Sequence, residues 1–318
     1  MYKCVIIGLG QIGMGYDLYL DSEKAVYTHS KAFSLHPFFE LVGAVDDVIE
    51  RRELFSVFYK KPAFDNLATA LNDLEPEIIV IATPTESHYA IIQQVVKHKG
   101  IVSILCEKPL AYNINEARSI VQSCEYHKIR LFVNYMRCSD PGVLEVKRRI
   151  QIGQIKSPVK GVVWYSKGLL NNGSHFFNLL EFWLGPYVKS SKISSGRPVG
   201  KHDSEPDFVV NFEKGQIVFM SVWEEAFSHY TVELLSTSGR LRYDKGGELI
   251  TFEGTHADEF FSGYTILANE EIIHNEMYHS QWNVVDQLSN ALQNRPYSIC
   301  SGVDALNTLE AIEKIINE

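Results

Sequence analysis

Two residues of this chain stand where proton chemistry is done. Lys108 of "CEKP" closes the apolar run "IVSILCEKP", and His175 of "NNGSHFFN" opens another. A lysine at the carboxyl end of a buried parallel strand points into the crevice where such sheets bind ligands. Partial desolvation lowers its pKa there and makes it a proton donor or an anchor for a hydroxyl; at a surface strand end it would be an ordinary solvated lysine. His175 lies among Asn171, Asn172 and Asn178. Asn172 or Ser174 suits the N-cap of a buried amphipathic helix, "HFFNLLEFWLG", that stops at Gly185. His175 then falls in its first turn, with Asn178 three residues on and on the same side. A helix start explains that backbone without explaining the imidazole.

Such groups need a scaffold and a reacting partner. "GLGQIG", Gly8 to Gly13, directly follows the first apolar run and opens a helical stretch, with Gln11 and Ile12 inside the turn. Gly8 permits the tight turn, Gly10 lets backbone approach a pyrophosphate, and Gly13 lets the helix pack on the sheet with its N-terminus toward the anion. Asp46 ends the second strand, "FELVGAVD", and is placed to accept hydrogen bonds from an adenosine ribose, or to act as a strand-end cap. A carboxylate there favours NAD, since a 2′-phosphate would meet like charge; Arg51 and Arg52 keep NADP open. The interval from the glycines exceeds the usual ~20 residues because of "YDLYLDSEKAVYTHSKAFSLHP", read as a loop and a short helix ending at Pro37. "ATPTESH" ends the next strand. Its Thr83, Pro84, Thr85 and His88 offer backbone and side-chain groups to a cofactor along that edge, with Thr85 also suited to cap the following helix. Glu107 and Lys108 complete the cofactor-facing set.

The elements that hold these residues change character along the chain. Up to about residue 125, consecutive-apolar runs alternate with helical patterns. Ile91, Ile92, Val95 and Val96 share one side in "ESHYAIIQQVVKHKG"; Ala117, Ile120, Val121 and Cys124 do so in "NINEARSIVQSCEYHK", which Asn113 caps. Strand, helix and strand in series predict a doubly wound parallel sheet of Rossmann type over residues 1–125. Residues 126–318 predict an α+β domain for substrate binding and oligomerisation. Its alternating strands turn at Lys214-Gly215, Ser238-Gly239 and Gly246-Gly247 in a broad, mostly antiparallel meander with an open face. The terminal helix, with Val303, Leu306, Leu309, Ile312 and Ile316 near one stripe, is suited to pack back on the first domain.

Composition narrows the function class. The 318 residues carry a net charge of −9, with 45% hydrophobic and 22% charged residues. That acidity disfavours nucleic acid as a partner. No apolar run reaches membrane-spanning length, and the opening residues lack a signal-peptide pattern. Five cysteines without C-x-x-C spacing fit thiols in a reducing cytosol. Metal binding has no support: His274 and His279 are five apart and do not share a helical face, and "HADE" at His256 reads as a polar loop.

In order, "GLGQIG", "ATPTESH", "EKP", "VNYMR" (Val133 to Arg137) and "NNGSHFFN" resemble the motif series of the Gfo/Idh/MocA family, over nearly the whole chain. The resemblance implies a Rossmann domain and an α/β domain whose open sheet often forms a dimer or tetramer interface. It implies NAD(P)-dependent oxidation of a sugar, cyclitol or nucleotide-sugar hydroxyl, or reduction of the ketone. It further implies that Lys108 binds substrate and assists proton transfer, with His175 as the base. Arg137 and Asn171 are substrate contacts by the same reading, and Lys167 a weaker one. The family's second motif usually reads D-x-G-x-H-x-x-D; Asn171 and Asn178 replace both aspartates here. An asparagine still hydrogen-bonds but supplies no charge to the imidazolium, which leaves a catalytically weak binding protein as the alternative.

Overall fold

The computed structural model describes residues 1–21 and 23–318; Ser22, within the predicted loop after the glycine turn, lies outside the described residues. Contacts divide the chain into two units, Met1–Ser139 with Tyr278–Asn307, and Asp140–Met277 with Thr308–Glu318. The change of texture read near residue 125 precedes this division because one more strand completes the first unit's sheet.

The first unit alternates β1 (Tyr2–Ile7), α1 (His29–Leu35), β2 (Phe39–Val45), α2 (Ile49–Tyr59), β3 (Ala63–Phe64), α3 (Leu67–Leu74), β4 (Ile78–Ile81), α4 (His88–Val95), β5 (Ser103–Cys106), α5 (Ile114–Tyr126) and β6 (Arg130–Val133). The sheet is parallel throughout, in the order β3-β2-β1-β4-β5-β6. The order reverses between β1 and β4, and ligands of such sheets bind outside the strand ends at that point. Every residue of β4 is fully buried, as covering on both faces requires. Asn113 caps α5 by accepting from Asn115 N, and the four residues expected to face inward do so. In α4 the buried apolar side chains are Ile92 and Val95, with Val96 just beyond, while Ile91 is only partly covered.

One element differs from expectation. No long helix follows the glycine turn; a five-residue π-helical turn, Gln11–Gly15, takes its place. Three glycines within six residues weaken a helix there. Fully buried Asp17 then accepts hydrogen bonds from Thr28 N and Thr28 Oγ1, at 3.0 and 2.6 Å, which folds the chain back to α1.

The second unit contains α6 (Pro141–Gln151), β7 (Val159–Tyr165), α7 (Ser174–Leu184), β8 (Tyr187–Ser194), β9 (Pro198–Val199), β10 (Asp203–Ser204), β11 (Asp207–Phe212), β12 (Gly215–Ser221), β13 (Thr231–Ser236), β14 (Gly239–Asp244), β15 (Leu249–Glu253), β16 (Thr255–Ala257), β17 (Thr265–Leu267) and β18 (Glu271–Ile273). Eight strands form one sheet, β18-β15-β14-β13-β7-β12-β11-β8. The expected hairpins form, but not as one meander: β7 separates them, antiparallel to β13 and parallel to β12. Alternation buries one face. Phe208 stacks on Phe219 at 4.6 Å, and Phe177 of α7 meets Phe212 and Phe219 at 5.3 and 6.0 Å. The other face leaves Trp164 39% and Leu235 48% exposed. Only half of the "HADE" segment is a loop: His256 and Ala257 belong to β16, which pairs with β17 in an exposed ribbon, while Asp258 and Glu259 lie beyond the strand.

Helix α8 (Ser280–Leu292) belongs to the first unit, where Val284, Val285 and Leu288 join Phe33, Phe39, Leu41 and Phe132 in the core. The division falls within α9 (Gly302–Asn317). Its buried side runs through Ala305, Leu309, Ile312 and Ile315, and Val303 is 47% exposed, a stripe rotated from the expected one because the small Ala305 and the polar Thr308 also face inward. In the second unit's core, Phe219→Ala is expected to remove about 3–5 kcal/mol of stability, the range for emptying a buried aromatic site; urea unfolding of the variant against the parent measures it.

Candidate active site

The glycine turn is shaped by two kinds of constraint. Gly8 has φ +94°, and a Cβ there would lie 2.7 Å from the Ala82 carbonyl carbon. A Cβ on Gly13 would lie 2.0 Å from Gly8 O, whereas one on Gly10 would meet nothing within 4 Å. Two glycines are thus demanded by close packing and one faces open space, the fit a dinucleotide pyrophosphate needs. Gln11 is exposed and Ile12 packs partly against the core. Asp46 is buried, and its carboxylate accepts from Leu9 N at 2.6 Å and Val48 N at 2.9 Å. It therefore braces the glycine turn and the start of α2 together. Arg51 approaches it at 3.6 Å, and Arg52 donates to its carbonyl.

At the end of β4, Thr83 Oγ1 accepts from Ser87 Oγ at 2.7 Å. Pro84 is exposed, and Thr85 starts a short 3₁₀ turn, Thr85–Ser87, that runs into α4. The expected cap by Thr85 is not made; neither this turn nor α4 has a side-chain cap. His88 is fully buried, with Nε2 3.0 Å from Thr83 O and Nδ1 3.3 Å from Leu110 O, so it ties this loop to the one after β5. Burial holds its pKa below the ordinary imidazole value, against the pull of those carbonyls and of Glu107.

Lys108 follows β5 directly and is partly exposed, and its bond to Pro109 is cis. The preceding carboxylate is the unexpected feature. Glu107 is 9% exposed, and its Oε1 accepts from His29 Nε2 at 2.8 Å and Asn134 Nδ2 at 2.6 Å. Asn134 Nδ2 also lies 3.3 Å from Gln281 Oε1. Burial pushes the Glu107 carboxyl up, but the hydrogen bond and charge of His29, then Asn134 and Lys108, more than offset it and leave the pKa below the usual range. Arg137 is buried in the short turn Met136–Ser139. His29, Asn134 and Gln281 were not singled out in the sequence. Asn134 stands in the "VNYMR" motif and Gln281 in "MYHSQWN", but neither amide is assigned a role there, and His29 is a lone histidine at a helix start.

In the second unit, His175 is 8% exposed in the first turn of α7, as expected. The cap is not Asn172 or Ser174. A π-helical turn, Leu169–Gly173, runs straight into α7, and Ser174 Oγ donates back to Leu170 O. Asp203 of β10 does the capping instead, accepting from Leu170 N and Asn171 N, each at 2.9 Å, while Glu205 accepts from Gly168 N. Burial raises the pKa of Asp203 despite these donors. Asn171 is exposed, and Asn178 is buried with Nδ2 3.1 Å from Thr308 Oγ1, which donates to Glu181. Lys167 is committed to Glu224 at 2.8 Å, which also accepts from Ser166, Ser228 and Tyr230. Burial alone would raise the Glu224 pKa, but Lys167 and the hydroxyls bring it down from 4.5 to about 2. A depressed carboxylate contributes stability above its unfolded pKa and loses it as pH falls toward its folded one. Between pH 4.5 and about 2 the parent is therefore expected to lose an increment of stability that Glu224→Gln does not lose; denaturant midpoints of the two proteins across that range measure it.

Known proteins bear on this geometry. Inositol 2-dehydrogenase of Rubrobacter xylanophilus is 25% identical over 188 residues, 56% of this chain and 52% of that protein. The chain spans about half the length of the curated relatives it matches first. Among solved structures, aldose-aldose oxidoreductase of Caulobacter crescentus, complexed with glycerol, superposes with a TM-score of 0.78 at 16% identity, covering 99% of this chain and 96% of the other. The WlbA dehydrogenase of Bordetella pertussis, in complex with NADH and UDP-GlcNAcA, does so with a TM-score of 0.73 at 17% identity, covering 100% and 97%. At those identities the likeness establishes the shared fold. Residues 2–135 match the model of the Gfo/Idh/MocA oxidoreductase family, with its NAD-binding Rossmann fold.

Proposed function

We propose that this protein is an NAD-dependent dehydrogenase that interconverts a hydroxyl and a ketone of a sugar, cyclitol or nucleotide sugar. The observation that carries the reading is Lys108: a partly exposed ammonium at the carboxyl edge of the parallel sheet, beside a buried carboxylate and on the same edge as the glycine turn. NAD, when bound, supplies the hydride acceptor. Gly8, Gly10, Gly13 and the backbone of Gln11 and Ile12 would hold its pyrophosphate, with Asp46 keeping the turn in shape and Thr83 to Thr85 and Glu107 along the neighbouring strand ends. Lys108 steadies the alkoxide that develops as the hydroxyl is oxidised, and His175 takes the proton. Arg137 and Asn171 contribute substrate contacts. Lys167, already paired with Glu224, contributes little anion affinity.

Lys108→Ala and His175→Ala are each expected to lower turnover about 10²–10⁴-fold, the range for one acid–base group, while NADH affinity stays within twofold. Stopped-flow absorbance with NADH and a panel of keto-sugars, and with NAD and the matching polyols, reads both. Full turnover in both variants would remove the assignment.

A second reading has its own support. Asn171 and Asn178 leave the histidine motif without a carboxylate, and the Asn178 amide is engaged with Thr308. A dinucleotide- and sugar-binding regulator of the same fold would show NADH fluorescence binding and no turnover on any substrate.

The half-open sheet face suits a homodimer in the cytosol, where five buried thiols stay reduced. Trp164→Glu on that face is expected to shift sedimentation velocity toward the monomer; an unchanged species would exclude this face.

A further inference from the structure

The hydrogen-bonded group behind Lys108 is not needed to fix the strand ends of the sheet. The end of β5 is already fixed by main chain, since Glu107 N donates to Ile81 O at 2.9 Å and Asn134 N to Cys106 O at 2.8 Å. An apolar side chain of similar volume would fill the space of Glu107 with no ionised group to bury, and such replacements are often neutral or stabilising. Instead, separate segments converge on one carboxylate. His29 comes from the start of α1, Asn134 from the end of β6, and Gln281 from α8 stands behind Asn134. His29 is itself held firmly. Its neighbour Thr28 caps α1 and donates to buried Asp17, the ring is 0% exposed, and Gln281 N is tied to Val26 O.

We propose that His29 is a positioning residue for Lys108: its imidazole fixes the Glu107 carboxylate as an oriented negative charge next to the Lys108 ammonium. The inference rests on the reading that Lys108 handles the substrate proton. Glu107 Oε2 lies 3.4 Å from Lys108 N, so the carboxylate steers the backbone from which the lysine side chain leaves. The titratable groups around Glu107 are His29 on α1, Lys108 and Cys106 on its own segment, and His88 on α4. Only His29 donates a side-chain hydrogen bond to Glu107 among these four in the described residues. Removing it takes one donor from a buried carboxylate, so the charged form beside Lys108 is less favoured and no longer held in one orientation.

The test reads Lys108 itself. The proteins are labelled with limiting acetic anhydride across a pH series, and the Lys108-containing peptide is quantified by mass spectrometry, with exposed Lys201 as internal reference. His29→Leu is expected to move the labelling midpoint of Lys108 down by about one pH unit, the low end of what an adjacent opposite charge supplies, leaving Lys201 unmoved. His29→Gln, which keeps a donor, should restore most of the parent profile. Glu107→Gln should give the same shift, with no addition from His29→Leu. On a substrate that is turned over, His29→Leu should lower kcat about tenfold or more at unchanged KM and NADH affinity, with the kcat–pH profile moving alongside the label. If His29→Leu fails to fold, Glu107→Gln and His29→Gln carry the test. An unmoved Lys108 profile in folded His29→Leu or Glu107→Gln overturns the proposal whatever the turnover. A parent protein that reduces no sugar overturns the dehydrogenase reading instead, and the labelling still decides the role of His29.

Discussion

The contact between the ends of β1 and β4 sets the terms for the first unit. Gly8 lies against the Ala82 carbonyl and Gly13 against Gly8 O, at separations that leave no room for a side chain. The glycine turn is therefore pressed onto the sheet edge rather than standing above it. The reversal of strand order at the same place opens a crevice beside the turn, and Thr83, Glu107 and Lys108 stand on the neighbouring strand ends by topology alone. Asp46 completes the arrangement from the other side. By spending both oxygens on the amides of Leu9 and Val48, it makes the end of β2 part of the turn.

Much of this was legible in sequence because it rests on local rules. Fully buried strands read as consecutive apolar runs, the glycine spacing names its own turn, and Asn113 and Gly185 end or begin helices by their own chemistry. What stayed hidden is non-local. Asp203 caps the turn before α7 from about thirty residues away along the chain. Local propensity instead favours Asn172 or Ser174 for that cap. The pairing of β7 with β12 and β13 was equally out of reach, because alternation gives the buried face of a strand and not its neighbour. Within the candidate site, His175 and Lys108 carried motif context. His29 and Glu224 did not, and their importance comes only from what the fold brings to them.

The two halves of the candidate chemistry are held by unlike means. Around Lys108 the partners are buried and few, so each hydrogen bond acts in a medium of low polarizability and counts heavily. Around the loop of Lys167 and Asn171 the carboxylates of Asp203, Glu205 and Glu224 are tied to main-chain amides, hydroxyls and cations. That loop owes its shape to acidic side chains whose oxygens are already hydrogen-bonded, and Gly168 makes room for one of them: a Cβ there would clash with Asp203 Oδ2.

The central position of β7 has a consequence for synthesis. Its two neighbours, β12 and β13, begin roughly fifty and sixty-five residues downstream. A ribosome therefore releases this strand well before either flank exists to cover it. For that interval Val162 and Trp164 travel on a ribbon with two bare edges, the arrangement that invites pairing with the wrong chain. The nascent polypeptide is most in need of protection while the segment that will become the middle of its sheet waits for its partners.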